Sequence, residues 1–301
     1  MLITPDWIAV DWGTSNLRAW AMSADGSVLA EASSDKGMLR VETGGFEEAL
    51  LALVSDWLPS GETKTVLAAG MVGARQGWIE APYAEVPCAG IDPGTMAQAP
   101  VEDPRLSVHI LPGLCQREPA DVMRGEETQI FGFLAEQTGF TGSICLPGTH
   151  SKWVEVSGGR VSGFHTAMTG ELFELLSKQS VLKHSMDTEW SEAAFLDGVA
   201  VGLEAPGDLI SSLFAIRAES LLRDPETGWG AARLSGLLIG AELASSVNTE
   251  TSVALIGGGR MVDLYAAALS IRGIEALRFD AGRATRAGLT AAYQSLSGAS
   301  A

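Results

Sequence analysis

One short pattern occurs twice in this chain, and it limits the folds open to it. Residues 8–31 read IAVDWGTSNLRAWAMSADGSVLAE and residues 142–164 read GSICLPGTHSKWVEVSGGRVSGF. Each is an apolar run followed by Gly-Thr with a nearby Ser, an alternating segment, a glycine turn and another strand-like run. Gly13-Thr14 and Gly148-Thr149 lie 135 residues apart in a chain of 301. That spacing points to two related halves of about 150 residues, each large enough to bury a core. Backbone N–H groups in small-residue turns suit phosphate oxygens, so each half offers one such turn to a ligand.

Composition narrows the function classes. The 20 Lys+Arg against 37 Asp+Glu give a formal net charge of −17. Nucleic acid as a polymer partner is disfavoured, because phosphate backbones reward clustered basic residues; a small anion needs only a local donor nest. Cys88, Cys115 and Cys145 are odd in number and scattered, which supports neither a disulfide framework nor a zinc knuckle. The start, MLITPDWIAVDW, has no basic region and no long apolar core, so it does not read as a signal peptide. No apolar run reaches 18 residues, so no transmembrane helix and no membrane partner are expected, and the cytoplasm is the expected compartment. Oligomeric state is not legible; a homodimer is one compatible assembly.

The pattern of elements is α/β. Residues 7–12 read as a buried strand. Residues 17–23 alternate, with Leu17, Ala19 and Ala21 on one face and Arg18, Trp20 and Met22 on the other. Asp25-Gly26 signals a hairpin turn, and 27–33 supplies a third strand. Residues 46–58 have helical period, 65–70 is a strand, and 71–104 reads as a Gly/Pro-rich functional loop. A strand at 107–113 precedes a helix over 120–139. The second half restarts with three strands. A helix follows at 169–182, with Thr169 as candidate N-cap and Glu171 in its first turn. Further helices are expected near 190–203, 208–222 and 230–247, then a strand at 253–258 and a helix at 261–273. The expected domains are 1–139 and 140–301.

Five segments carry candidate chemistry. DWGTSNLRAW (11–20) puts Asp11 at a strand end before Gly13, Thr14 and Ser15; the carboxylate can hold Mg²⁺ and the turn can hold phosphate. A plain hairpin with an Asx turn explains the same residues. LPGTHSKW (146–153) replaces the acid with Leu146 and offers Gly148, Thr149, Ser151 and Lys152 to phosphate; His150 reads as structural first and catalytic second. LIGGGRMVDL (255–264) is a strand, Gly257, Gly258 and Gly259, then a helix, suited to backbone approach by a flat ligand. It is neither G-x-G-x-x-G nor a P-loop. RGEETQIFGF (124–133) puts Glu126 and Glu127 early in a helix, as acid/base candidates or as complements to the helix dipole. AAGMVGARQGWIEAPY (68–83) carries Arg75, Trp78, Glu80 and Tyr83 among glycines. Arg suits a carboxylate and the aromatics a sugar face; Arg18 and Arg40 are further carboxylate candidates.

Taken together, these motifs resemble the sugar kinase/heat-shock 70/actin superfamily, in which two ribonuclease-H-like domains, each a mixed sheet flanked by helices, close around ATP across an interdomain cleft. DWGTSNLRAW resembles its first phosphate motif, LPGTHSKW its second and LIGGGRMVDL its adenosine motif. The strings DWGTSNLRAW, AAGMVGARQGWIEAPY, MRGEETQIFGFL, LPGTHSKWV and TAMTGELFELL, in that order, resemble the 2-dehydro-3-deoxygalactonokinase family from about residue 8 to 290. The resemblance implies MgATP-dependent phosphorylation of 2-dehydro-3-deoxy-D-galactonate at its 6-hydroxyl, in galactonate catabolism. It implies Asp11 at Mg²⁺, with Gly13, Thr14 and Ser15 at the β/γ-phosphates. Gly148, Thr149 and Ser151 would close from the other domain, and Gly257, Gly258 and Gly259 would line the adenosine. Glu126 is then the first choice of base and Glu127 the second. Many superfamily sugar kinases use an Asp base; this helix offers only Glu, with Asp121 one turn earlier in reserve. The substrate carboxylate falls to an Arg, Arg18 or Arg75 among them, and its body to Trp78 and Tyr83. Two other readings stay open: a kinase of another sugar or sugar acid in the same fold, and a nucleotide-dependent sugar sensor without turnover.

Overall fold

A computed structural model describes residues 3–186, 188–223, 225–247 and 251–298. By internal packing the chain forms two compact units. The first runs to Phe140 and adds Ser157–Gly163 and the segment from Asp280 onward; the second is Thr141–Val156 with Phe164–Phe279. A single cut between 139 and 140 does not anticipate these two later returns to the first unit.

In the first unit, β1 (Trp7–Trp12), β2 (Leu17–Met22) and β3 (Val28–Ser34) form an antiparallel meander. After α1 (Phe46–Val54), β4 (Lys64–Ala69) pairs parallel to β1. The short β5 (Tyr83–Glu85) and β6 (Ala97–Gln98) lie in the expected loop region. They precede β7 (Leu106–Ile110), β8 (Gly113–Gln116), β9 (Asp121–Met123) and α2 (Glu126–Glu136). The main sheet has the order β3-β2-β1-β4-β7-β6, and β5-β8-β9 form a second, three-stranded sheet.

The second unit repeats the plan. β10 (Gly142–Leu146), β11 (Ser151–Ser157) and β12 (Arg160–Ala167) are followed by α3 (Thr169–Gln179), α4 (Glu192–Glu204), α5 (Leu209–Leu222) and α6 (Trp229–Ser246). Then come β13 (Val253–Gly257), α7 (Gly259–Ile271), β14 (Leu277–Asp280) and α8 (Ala281–Ser297), the last packing with the first unit. The order β12-β11-β10-β13-β14, with β13 parallel to β10, reproduces β3-β2-β1-β4-β7. The repeated sequence pattern is therefore a repeated ribonuclease-H-like sheet.

Two differences from the sequence pattern have clear causes. β2 does not alternate in burial: Trp20 and Met22 are as enclosed as Leu17 and Ala19. Leu289 and Ala292 of α8 join Trp7, Ala9, Trp20, Met22 and Leu67 in a second core on the far face of the sheet. A strand covered on both faces loses the period-2 signature. The expected 120–139 helix is a strand and a shorter helix, because Asp121–Met123 pair with β8 and Gly125 turns the chain at φ +102°. Among the described residues no single helix is long and apolar enough to cross a membrane.

The far-face core depends on α2 and α8 lying backbone to backbone. A Cβ on Gly132 would come within 1.9 Å of the Ala284 carbonyl oxygen. Gly132→Ala is expected to lower the melting temperature of the first unit, at a cost of about 1–3 kcal/mol from overpacking. Unchanged melting in a thermal scan would show that the helices do not meet there.

Candidate active site

The first Gly-Thr turn closes the β1–β2 hairpin. Asp11 and Arg18 stand opposite each other in register, and the Arg18 guanidinium donates to the Asp11 carboxylate. Gly13 N–H donates to the Asn16 carbonyl (3.0 Å), and the Gly13 and Thr14 carbonyls accept from Met38 and Leu39. Carbonyls held inward leave Thr14, Ser15 and Asn16 on the exposed side. They line a depression of about 740 Å³ with Asp11, Arg18, Ser33, Ser34 and Asp35. Gly37 backs the turn so closely that a Cβ there would lie 2.2 Å from the Ser15 carbonyl carbon.

Two more glycines bring α2 to this turn. Gly70 (φ +99°) ends β4 with room for no side chain: a Cβ would lie 2.7 Å from the Trp12 oxygen and 3.6 Å from Asp11 Oδ1. A Cβ on Gly125 would in turn lie 3.3 Å from the Gly70 Cα. The start of α2, with Glu126 and Glu127, is thus one glycine contact from the Asp11 strand end. Glu126 is half-buried and accepts from the Arg124 N–H at 3.1 Å. Glu127 is buried, accepting from Gly125 N–H at 2.6 Å and from the Thr128 hydroxyl at 3.0 Å. Burial, reinforced by the neighbouring Glu126 charge, pushes its pKa up to about 8. Asp121 sits on β9 rather than a turn earlier in α2, with its carboxylate on the Val122 N–H.

The Arg and aromatic candidates separate. Arg75 is exposed and pairs with Glu80 at 3.5 Å; Arg40 pairs with Asp35 at 2.6 Å. Trp78 packs into the core, edge-on to Trp12 and stacked on Phe46, and donates to the Pro100 carbonyl. Tyr83 is exposed and lies over the Arg124 guanidinium, 4.4 Å from carbon to ring centre. Arg124 was not among the sequence candidates, although it abuts the glutamate pair in MRGEE. It is buried, Nη2 donates to the Ala81 carbonyl, and Nε and Nη1 have no hydrogen-bond partner among the described residues. An orphaned buried guanidinium is costly, and that cost marks it as a candidate ligand-binding group.

In the second unit, Leu146 and Lys152 occupy the register positions of Asp11 and Arg18. Lys152 is buried and donates to the Thr166 hydroxyl at 3.0 Å, so it is not a solvent-facing lysine. His150 pairs with Glu171. Gly170 backs this turn as Gly37 backs the other: a Cβ would lie 2.4 Å from the Gly148 oxygen. Thr169 is not an N-cap, because its hydroxyl points inward to Glu242. A mainly apolar pocket of about 500 Å³ starts at Gly148 and Thr149 and runs past Thr169, Phe173 and Leu238 to Arg260, which stacks over Trp190 at 3.9 Å. Gly257 ends β13, and Gly258 and Gly259 are exposed beside Arg260 with open space at both Cβ positions. A Gly-Thr turn, apolar walls and a stacking cation suit a nucleoside phosphate.

The donors near Asp11 fit Mg²⁺, which takes one or two carboxylates and completes its shell with phosphate and water. Asp11 and Asp35 share the depression, and no three His, Cys, Asp or Glu among the described residues form a ready protein cage.

A sequence profile of the 2-keto-3-deoxy-galactonokinase family matches residues 11–292. The chain is 42% identical to a probable 2-dehydro-3-deoxygalactonokinase from Rhizobium meliloti, over 96% of each chain. It is 35% identical to the 2-dehydro-3-deoxygalactonokinase of Escherichia coli, over 95% of this chain and 97% of that one. Among solved structures, a candidate 2-dehydro-3-deoxygalactonokinase from Sinorhizobium meliloti superposes with a TM-score of 0.87 at 40% identity, covering 96% of each chain.

The raised pKa of Glu127 has a consequence for stability. An unfolded Glu loses its proton near 4.5, the folded one near 8, so between these values the folded state binds more protons. Stability from this group is therefore present below about pH 4.5 and falls as pH rises toward 8. Glu127→Gln is expected to flatten that decline in denaturant midpoints measured from about pH 5 to 8. Parallel curves for the two proteins would refute the assignment.

Proposed function

The chain belongs to the 2-keto-3-deoxy-galactonokinase family, and on that footing we propose that it transfers the γ-phosphoryl group of ATP to the 6-hydroxyl of 2-dehydro-3-deoxy-D-galactonate. The observation that carries this reading is the glycine-mediated approach of the Glu126–Glu127 pair to the Asp11 turn. A carboxylate able to take a hydroxyl proton and a turn able to hold phosphate are built into one small region. Phosphoryl transfer depends more on positioning than on base strength, so a half-buried glutamate suffices.

Glu126 is assigned the hydroxyl proton. Glu127, its pKa pushed up to about 8 by burial, holds its own proton at neutral pH and is therefore not the assigned base. Asp11 would hold Mg²⁺, which when bound offsets phosphate charge. In the first unit Thr14 and Ser15 are the assigned phosphate contacts; in the second, Thr149 is assigned a phosphate contact, and Arg260 and Trp190 flank the assigned nucleoside site. Arg124 is assigned the substrate carboxylate: Arg18, Arg40 and Arg75 each already face a protein carboxylate, whereas Arg124 keeps two nitrogens unpaired. Tyr83 is the ring that covers it. The cytoplasm, where ATP is supplied, is the proposed compartment.

A coupled ADP-release assay with MgATP and a panel of sugar acids and neutral sugars tests the reading. Turnover confined to one six-carbon keto-deoxy acid is expected. Turnover on a neutral or amino sugar instead would favour another kinase of this fold, and ligand-dependent melting without ADP release would favour a sensor. Glu126→Gln is expected to lower kcat by roughly a hundredfold; near-wild-type kcat in both Glu126→Gln and Glu127→Gln would remove the base assignment. Arg124→Met is expected to raise KM for the acid by roughly tenfold or more while KM for ATP holds. An equal rise for the carboxamide analogue would show that Arg124 does not read the carboxylate.

A further inference from the structure

Beneath the second phosphate turn lies a chain of buried polar groups that the reaction as assigned does not use. Glu242 on α6 is only 6% exposed. Its Oε1 accepts from the Trp153 indole N–H at 2.7 Å, and its Oε2 accepts from the Tyr265 hydroxyl at 2.7 Å and from the Thr169 hydroxyl. The Tyr265 oxygen is 2.7 Å from Ser151 Oγ, and Ser151 Oγ accepts from the Gly148 N–H at 3.4 Å. Trp153, Tyr265 and Ser151 are fully enclosed.

Counting protons gives this chain a direction. A tyrosine hydroxyl has one proton, and that of Tyr265 goes to Glu242. With Glu242 as the acceptor, Ser151 donates to Tyr265, and its oxygen is left to accept. Ser151, a candidate phosphate donor in the sequence, therefore has no proton for a phosphate. It ties the Gly148 amide inward instead, while Thr149, which is exposed, lines the pocket. Thr169, which lines the same pocket, is held by the same carboxylate.

We infer that Glu242 is a positioning residue for nucleotide phosphate, acting through Tyr265 and Ser151 to fix the 148–151 turn and through Thr169 to fix the pocket wall. Burying a carboxylate is unfavourable unless its acceptors are filled, and here three donors fill them. The inference rests on the proposed binding of ATP in the second unit, and needs no particular sugar acid.

A double-mutant cycle on Ser151→Ala and Tyr265→Phe tests it, with ATP affinity read by calorimetry and kcat and KM by ADP release. Each single substitution is expected to weaken ATP binding or lower kcat by roughly tenfold, with KM for the sugar acid within twofold, and the double variant to be no worse than either. Glu242→Gln is expected to match them, and Thr169→Val gives an independent reading should Glu242→Gln fail to fold. Additive losses would show that Ser151 meets phosphate directly and would overturn the inference. So would unchanged ATP affinity and kcat in Tyr265→Phe, or absence of ATP binding by the wild-type protein. If the wild type binds ATP but releases ADP with no sugar acid, the kinase reading fails while the calorimetric cycle still decides the role of Glu242.

Discussion

Backbone packed on backbone where no Cβ fits is the constraint on which both Gly-Thr turns depend. Gly37 lies against Ser15 and Asn16, Gly170 against Gly148 and Thr149, and Gly70 between Asp11 and Gly125. A turn meant to present amides and hydroxyls to an anion must be held from behind, because its front is kept for the ligand. Glycine backing does this within van der Waals distance and without a competing side chain. The same device in both units, on the same β-hairpin, is the structural form of the repeated sequence pattern.

Rigid backing lets the fold carry costly groups nearby. Glu127 is buried with its pKa raised, Arg124 keeps two unpaired nitrogens, and Glu242 takes three donors in the core of the second unit. Each lies near a Gly-Thr turn or the glutamate pair, by sequence or through hydrogen bonds. Burial raises the energetic weight of every charge, which is a liability in a scaffold and useful in a site that must hold protons and anions in fixed places.

The hairpins, the parallel strands that follow them and the helices between residues 190 and 273 were legible because local periodicity and turn residues specify them; β14 and α8 were not read. The two-sided burial of β2 was not: its outer face is covered by α8, more than 260 residues further along the chain. The 120–139 segment misled for a related reason. Asp121–Met123 have helical neighbours in sequence but a strand partner in β8, and non-local pairing overrides propensity. Trp78, a sugar platform by residue type, stacks on Phe46 and meets Trp12 edge-on, contacts that the sequence does not show.

By itself the sequence determined the α/β class, the doubled sheet, the two Gly-Thr turns and the glutamate pair, because each is written in residues close together along the chain. The tertiary structure decided which charges are free to act. Arg18, Arg40 and Arg75 meet carboxylates, while Arg124, unremarkable in the sequence, keeps two guanidinium nitrogens without a hydrogen-bond partner among the described residues, and the Ser151 hydroxyl is engaged by Tyr265. A side chain's chemistry depends on the partners and the solvent around it, and both are set by contacts between segments distant along the chain.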